Sequence, residues 1–385
     1  MNEEQKKEYY NLVIKEFKGL KKKISMMPAS MKRTYLYSNY ANLMAFMGRI
    51  GINITEDLIE LDDSDKFDRL YEKRKLEDIN ELGSNIETLQ DIFNEVISYC
   101  YEKNLYIANF SSRTKINQRN IGYILHDFFA SLDPMIYKTF LNCQNNGNLV
   151  FTSVEGAGGI TFPLLFEQSS KVIVSGDLNY LDSYHTLVHE MGHVYHTELS
   201  KNNECFHGFD ATCEVVSMLF EKLFCRYLKD HHYYPIQTDN LIKTERLANL
   251  NLLVHCDLIC DILKKDLGAI SFDDLSIICP LDAENIMELL RRDCQYIVDF
   301  DGSLNLYNFT YAIGDIISSY FYQKIMEDKE KGLRELKDFA ANSERLTLEE
   351  IIDRYMMDLT PIMKYINEQL EVTNVESKIK KKRKI

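Results

Sequence analysis

The chain has 385 residues, 45% of them apolar and 27% charged, and a net charge of −14, which suit a large globular core and argue against nucleic acid as the main partner. No apolar run approaches the ~20 residues that a bilayer crossing requires, so no membrane partner is expected. Nine scattered cysteines with no CxxC pair fit reduced thiols, and the polar start at Met1-Asn2-Glu3-Glu4 lacks the apolar core of a signal peptide, so a cytoplasmic protein is expected.

Six prolines and sixteen glycines punctuate the chain sparsely, and amphipathic helical periodicity dominates. Helices are expected over Asn2–Ile24, Lys32–Gly48, Asp65–Leu82 and Asn85–Lys103. This first region, 1–104, carries no catalytic pattern and reads as a helical scaffold forming part of a cleft wall. A short strand or extended loop follows at 105–110, then a helix from Gln118 to Leu132, ended near Pro134. Residues 145–175 are the one β region: Leu149–Thr152 and Ile160–Phe162 flank Gly156-Ala157-Gly158-Gly159, and Lys171–Val174 follows. No GK[ST] and no helix follows the glycines, which excludes a phosphate loop. They read as a hairpin turn, or as an edge strand whose backbone pairs with an extended peptide.

Asp182 or Ser183 is placed to cap the next helix, which holds His189-Glu190-Met191-Gly192-His193, a match to HExxH. Residues four apart share a helix face, so the two imidazoles can grip one metal ion, with Glu190 placed to reach a water on it. After a polar loop at 201–209, helices are expected over Asp210–Lys229, Asn240–Leu267, Asp282–Val298, Tyr307–Glu327, Thr347–Met357 and Pro361–Glu371. A basic tail, 372–385, ends in Lys378–Ile385 and reads as solvated and disordered.

A catalytic zinc site takes three protein ligands and a water, so a third ligand is required. His185 and His196 bracket the motif, but eleven residues span ~16 Å of helix axis, too far to close round one ion. The third ligand must come from another helix. Glu214 is the lone charge in the run Ala211–Phe220, and a carboxylate there is costly to bury unless something positive meets it. Asp210, one turn earlier, is placed to cap that helix, to orient a zinc-bound imidazole, or both; His196, on the side of His193, is the other candidate for a supporting role behind the ligands. His185 is placed to line the cleft or simply to pack; Ser217 and Glu221 lie further along the Glu214 face, where structural roles are at least as well supported as functional ones.

His-Glu-Met-Gly-His-x-x-His at 189–196, followed by Glu214-Val215-Val216-Ser217 and Glu221, resembles the M3 family of zinc oligopeptidases, within it the oligopeptidase F and thimet-like branch. Tyr307-Asn308-Phe309-Thr310-Tyr311-Ala312-Ile313-Gly314 is similar to that family's tyrosine-rich helix start, and Leu346–Thr360 to a later stretch of it. The resemblance implies a mainly α, two-lobed helical zincin-type metallopeptidase with a small β-sheet beside the active-site helix and a catalytic domain at 105–371. It implies one Zn2+ held by His189, His193 and Glu214, Glu190 as general base, Tyr307 and Tyr311 as catalytic residues facing the substrate, and short peptides as substrates. One departure stands out: family members usually carry a His and a further Tyr just upstream of the tyrosine segment, where this chain reads Asp299-Phe300-Asp301-Gly302-Ser303-Leu304-Asn305-Leu306. That departure motivates an alternative, a peptide-binding protein that keeps zinc but hydrolyses little.

Overall fold

The computed structural model describes residues 64–105, 114–152, 158–164, 169–200, 211–264 and 307–369, together with positions 11, 18, 22 and 26. Apart from positions 11, 18 and 22, which are helical, the helix expected at 2–24 lies outside the described residues, as do those at 32–48 and 282–298, the extended stretch beyond Leu105, the basic tail and Asp210.

Helix α1 (Ser64–Glu102) is one 39-residue element where two were expected. Gly83 lies between the two expected ranges, but an interior glycine costs only about 1 kcal/mol relative to alanine. Burial of Leu82, Ile86, Leu89, Phe93 and Val96 along one stripe outweighs that cost. Helix α2 (Gln118–Leu132) starts where Asn117 accepts from the Arg119 backbone N–H at 3.1 Å. Pro134 ends α2 and opens α3 (Pro134–Asn145), a helix not expected from the sequence; Asp133 caps it by accepting from the Met135 N–H at 2.8 Å.

The sheet has three strands, β1 (Leu149–Thr152), β2 (Gly159–Leu164) and β3 (Ser169–Ser175), in the order β1-β3-β2. β1 runs parallel to β3 with Val150 opposite Ile173, and β2 runs antiparallel to β3 with Ile160 opposite the same residue. β1 and β2 are therefore not paired with each other as a hairpin; the antiparallel pair is β2 with β3. Val172, Ile173 and Val174 make β3 the buried central strand, and β2 is an edge.

Helix α4 (Leu181–Ser200) carries the HExxH motif. It begins ahead of both expected caps, and the Ser183 hydroxyl donates instead to the Asp177 carbonyl at 3.0 Å. Then come α5 (Val215–Asp230), α6 (Pro235–Lys264), α7 (Tyr307–Glu327), α8 (Lys329–Asn342), a 3-10 turn (Ser343–Arg345), α9 (Leu348–Tyr355) and α10 (360–369). α8 was not expected; Asp328 caps it through the Lys331 N–H at 3.1 Å. A capping box between Thr347 and Glu350 starts α9. α4 packs against β2 and β3, against α5, and against α8, while α7 closes over α5. One hydrophobic cluster runs from Leu82 of α1 to Ile366 of α10. The six described cysteines are free thiols, and no described helix is long and apolar enough to cross a membrane.

Candidate metal centre

Three helices meet at the centre because two of them carry glycine where they touch. A Cβ added to Gly192 of α4 would stand 2.7 Å from the Ser217 nitrogen and 2.9 Å from the Val216 oxygen. One added to Gly314 of α7 would stand 3.1 Å from the Glu214 Cβ. Glycine at both places lets the start of α5 lie against α4 and α7.

That approach delivers Glu214. Its carboxylate is 3% exposed. Oε2 lies 3.2 Å from His189 Nε2 and 3.3 Å from His193 Nε2, and the two imidazole nitrogens are 3.2 Å apart. Ligands 2.0–2.2 Å from a tetrahedral zinc ion stand about 3.4 Å from one another, so this triangle of donor atoms has the size a zinc ion needs. The sequence put Glu214 one turn inside a helix from Asp210. The structure puts it at the N-cap of α5, after a turn in which the Val215 N–H donates to the Thr212 carbonyl at 3.2 Å. The partly positive helix end favours a carboxylate there. The Ser217 hydroxyl steadies it from 3.0 Å on Oε2 and 2.8 Å on the backbone oxygen.

The electrostatics favour a cation. Burial would raise the Glu214 carboxyl, but His193 and His189 outweigh it and hold the group well below the usual range. Burial would likewise lower the His189 imidazolium, yet Glu221 and Glu214 hold it well above its ordinary value. His193 is raised by Glu214 against the same opposition. The cluster thus draws positive charge, as protons or as a metal ion.

Glu221, whose role the sequence left open, lies two turns along α5 from Glu214 with Oε1 3.1 Å from His189 Nδ1. A carboxylate on Nδ1 fixes the ring so that Nε2 faces the triangle. Its seven-residue spacing from Glu214 puts both on one helix face, but nothing in the sequence pairs it with the His189 ring.

Glu190 is 4% exposed, and the Thr161 hydroxyl on β2 lies 2.7 Å from its Oε2 and 3.0 Å from its backbone oxygen. Gly159 leaves room for it, since a Cβ there would stand 2.9 Å from Glu190 Cδ and closer still to Oε1. Burial raises the Glu190 carboxyl; His189 and His193 pull against it. Nothing local in the sequence links Thr161 to a residue 29 positions away.

Tyr311 lies beside His189 with the rings nearly parallel, 14° apart, and centroids 6.4 Å apart. Tyr307 is the first residue of α7, one turn earlier, and its side chain lies outside the described residues. His196 turns to other partners: Nε2 is 3.3 Å from the Ser343 hydroxyl, and the ring also hydrogen-bonds the Cys213 backbone, just before Glu214. Burial first, then His193, push it down to about 4, so it is neutral.

No protein-family model matches the sequence, and no curated protein sequence does. Among solved structures, a candidate oligoendopeptidase F from Bacillus anthracis str. Ames superposes with a TM-score of 0.50 at 11% identity, over 90% of this chain and 66% of the other. A candidate peptidase from Chlamydophila abortus gives 0.49 at 14% identity, over 97% of this chain and 63% of the other. The fold is that of the oligoendopeptidase F structure: mostly helical, with a small sheet against the motif helix. The chain spans just under two thirds of the length of these relatives.

Proposed function

We propose that the chain is a zinc-dependent endopeptidase that hydrolyses short peptides, with one catalytic Zn2+ on His189, His193 and Glu214. The observation that carries this reading is the 3.2–3.3 Å triangle of those three donor atoms, next in sequence to the buried Glu190 carboxylate. Zinc in such a site would supply Lewis acidity, and an imidazole-rich donor set suits it.

The chain's own residues do the rest. Glu190 takes the proton of the attacking water and delivers it to the leaving amine; burial lifts its carboxyl towards a working pH, where a base is most effective. Thr161 holds that carboxylate in place. A tyrosine hydroxyl, from Tyr311 or from Tyr307, donates to the oxyanion, a contact typically worth ~3 kcal/mol. The edge strand β2 offers its backbone to an extended peptide. Free thiols in the described part suit a reducing, cytoplasmic setting.

The test is Glu190→Gln, which should abolish cleavage of a quenched fluorescent peptide while zinc content stays at the wild-type level. Cleavage that persists in that variant removes Glu190 from the mechanism. Wild-type protein that binds the peptide without chelator-sensitive cleavage would instead be a peptide-binding protein.

A further inference from the structure

A second cluster of donor atoms sits one turn back along α4. His185 is buried, and its Nδ1 lies 3.4 Å from Glu221 Oε1, the same oxygen that stands 3.1 Å from His189 Nδ1. One carboxylate therefore faces both rings, and each Nε2 is left for a different set of partners. His189 Nε2 faces His193 and Glu214. His185 Nε2 faces Glu245 Oε2, on α6, 3.7 Å away. Cys225 Sγ, on α5, lies 3.9 Å from that same oxygen. The three donor atoms are all within 4.8 Å of one another.

We propose that His185, Cys225 and Glu245 form a second site, structural rather than catalytic, for a thiophilic divalent cation of the zinc type. One nitrogen, one sulfur and one oxygen, from three helices, are donors such an ion accepts. In a tetrahedral zinc site these atoms stand about 3.4–3.6 Å apart, so the observed 3.7 and 3.9 Å edges need to contract by only a few tenths of an ångström. Glu221 would support both rings in the way a carboxylate commonly supports a metal-bound histidine.

The surrounding charges allow it. Lys222 Nζ is 3.7 Å from Glu245 Oε1, but it is paired at 2.5 Å with Asp315, which also accepts from Asn249 at 2.8 Å. Glu245 thus turns one oxygen towards the ammonium and keeps the other for the cluster. A divalent ion on one thiolate and one carboxylate is balanced in charge by its own ligands. Burial pushes the Cys225 thiol up to about 11, so the proton stays on sulfur until a cation displaces it. Bound there, the ion would tie α4, α5 and α6 together.

The experiment strips the full chain with chelator and reloads it with Co2+, in a Cys213→Ser background because the Cys213 thiol stands 4.0 Å from Glu214 Oε1. Two cobalt ions per chain and a sulfur-to-cobalt charge-transfer absorption in the near ultraviolet are expected. Adding Cys225→Ser should leave one ion and erase the absorption. Adding His193→Ala should leave one ion and keep it, which separates this site from the proposed catalytic one. A starting protein without the absorption, or an absorption that survives Cys225→Ser, overturns the proposal, whereas a single ion that shows the absorption would count against the proposed catalytic site instead. Should Cys225→Ser fail to fold, cobalt-edge X-ray absorption on the starting protein decides: sulfur in the coordination shell supports the site, and a purely nitrogen and oxygen shell overturns it.

Discussion

Gly192 and Ser217 are packed backbone to backbone, with the space for a Gly192 Cβ already taken by the Ser217 nitrogen and Cα. Because Ser217 also holds Glu214, the lack of a side chain at 192 sets the height at which the third donor atom reaches the two imidazoles. Gly192→Ala should force α4 and α5 apart. Backbone atoms cannot step aside, so overpacking should cost about 1–3 kcal/mol of stability. It should also weaken zinc binding at least tenfold. Thermal unfolding and zinc titration against a competing chelator check both, and unchanged values in the two together would show that the contact is slack.

Glu221→Gln tests the support behind His189. The amide keeps the shape but not the charge that faces Nδ1 at 3.1 Å. Loss of such a partner typically costs 10–100-fold in metal affinity. Zinc titration of the variant should fall in that range, while turnover at saturating zinc changes less than affinity does. A variant that binds zinc as wild type does would reduce Glu221 to a packing residue.

The motif helix was legible because an i, i+4 pair of histidines is a local pattern. Glu214 was legible because a lone charge in an apolar run has to be met by something. Strand order was not, since nothing local to Leu149–Thr152 announces that it pairs with β3 in parallel rather than with β2. Pro134 was read only as the end of α2, though its fixed φ suits the first turn of α3 equally well. α8 was hidden by its charges: Leu333, Leu336, Phe339 and Ala340 form a buried stripe, but Lys, Glu, Arg and Asp between them mask the periodicity. Thr161 acquires its partner only once the sheet is laid against α4.

Thr161→Val should shift the acid limb of the kcat/KM profile to higher pH. The hydroxyl donates to the ionised form of Glu190 and so lowers its pKa; without it, burial raises the carboxyl further. A hydrogen bond to a charged group is worth about 1.5–3 kcal/mol, which corresponds to roughly 1–2 pH units. Zinc content should not change. A profile that stays in place would mean that Thr161 contributes packing alone.

Zinc affinity should rise steeply with pH. In the metal-free chain Glu221 holds His189, and Glu214 holds His193, above the ordinary imidazole value, despite burial that opposes both. A metal ion therefore competes with protons for both rings further up the pH scale than it would for free imidazoles. Each displaced proton contributes a factor of ten per pH unit, so affinity should tighten by about ten- to a hundredfold per unit as pH rises towards the raised range of the two rings, and level off above it. Proton release on zinc addition in weak buffer gives the same count. A pH-independent affinity would exclude the two imidazoles as the groups that meet the metal.

His196 should make the metal-free fold sensitive to acid. Burial and the neighbouring His193 push it down to about 4 in the folded chain, against an ordinary value of 6.5. A group with a depressed folded pKa contributes stability that is full above 6.5 and is lost as pH falls towards 4, because the unfolded chain takes up the proton first. One proton corresponds to about 1.4 kcal/mol per pH unit, or roughly 3 kcal/mol across that window. His196→Gln, which can still hydrogen-bond Ser343, should remove one proton's worth of slope from urea unfolding free energies measured through the window. An unchanged slope would mean that the ring finds a way to protonate inside the fold, and that the Ser343 and Cys213 contacts give way when it does.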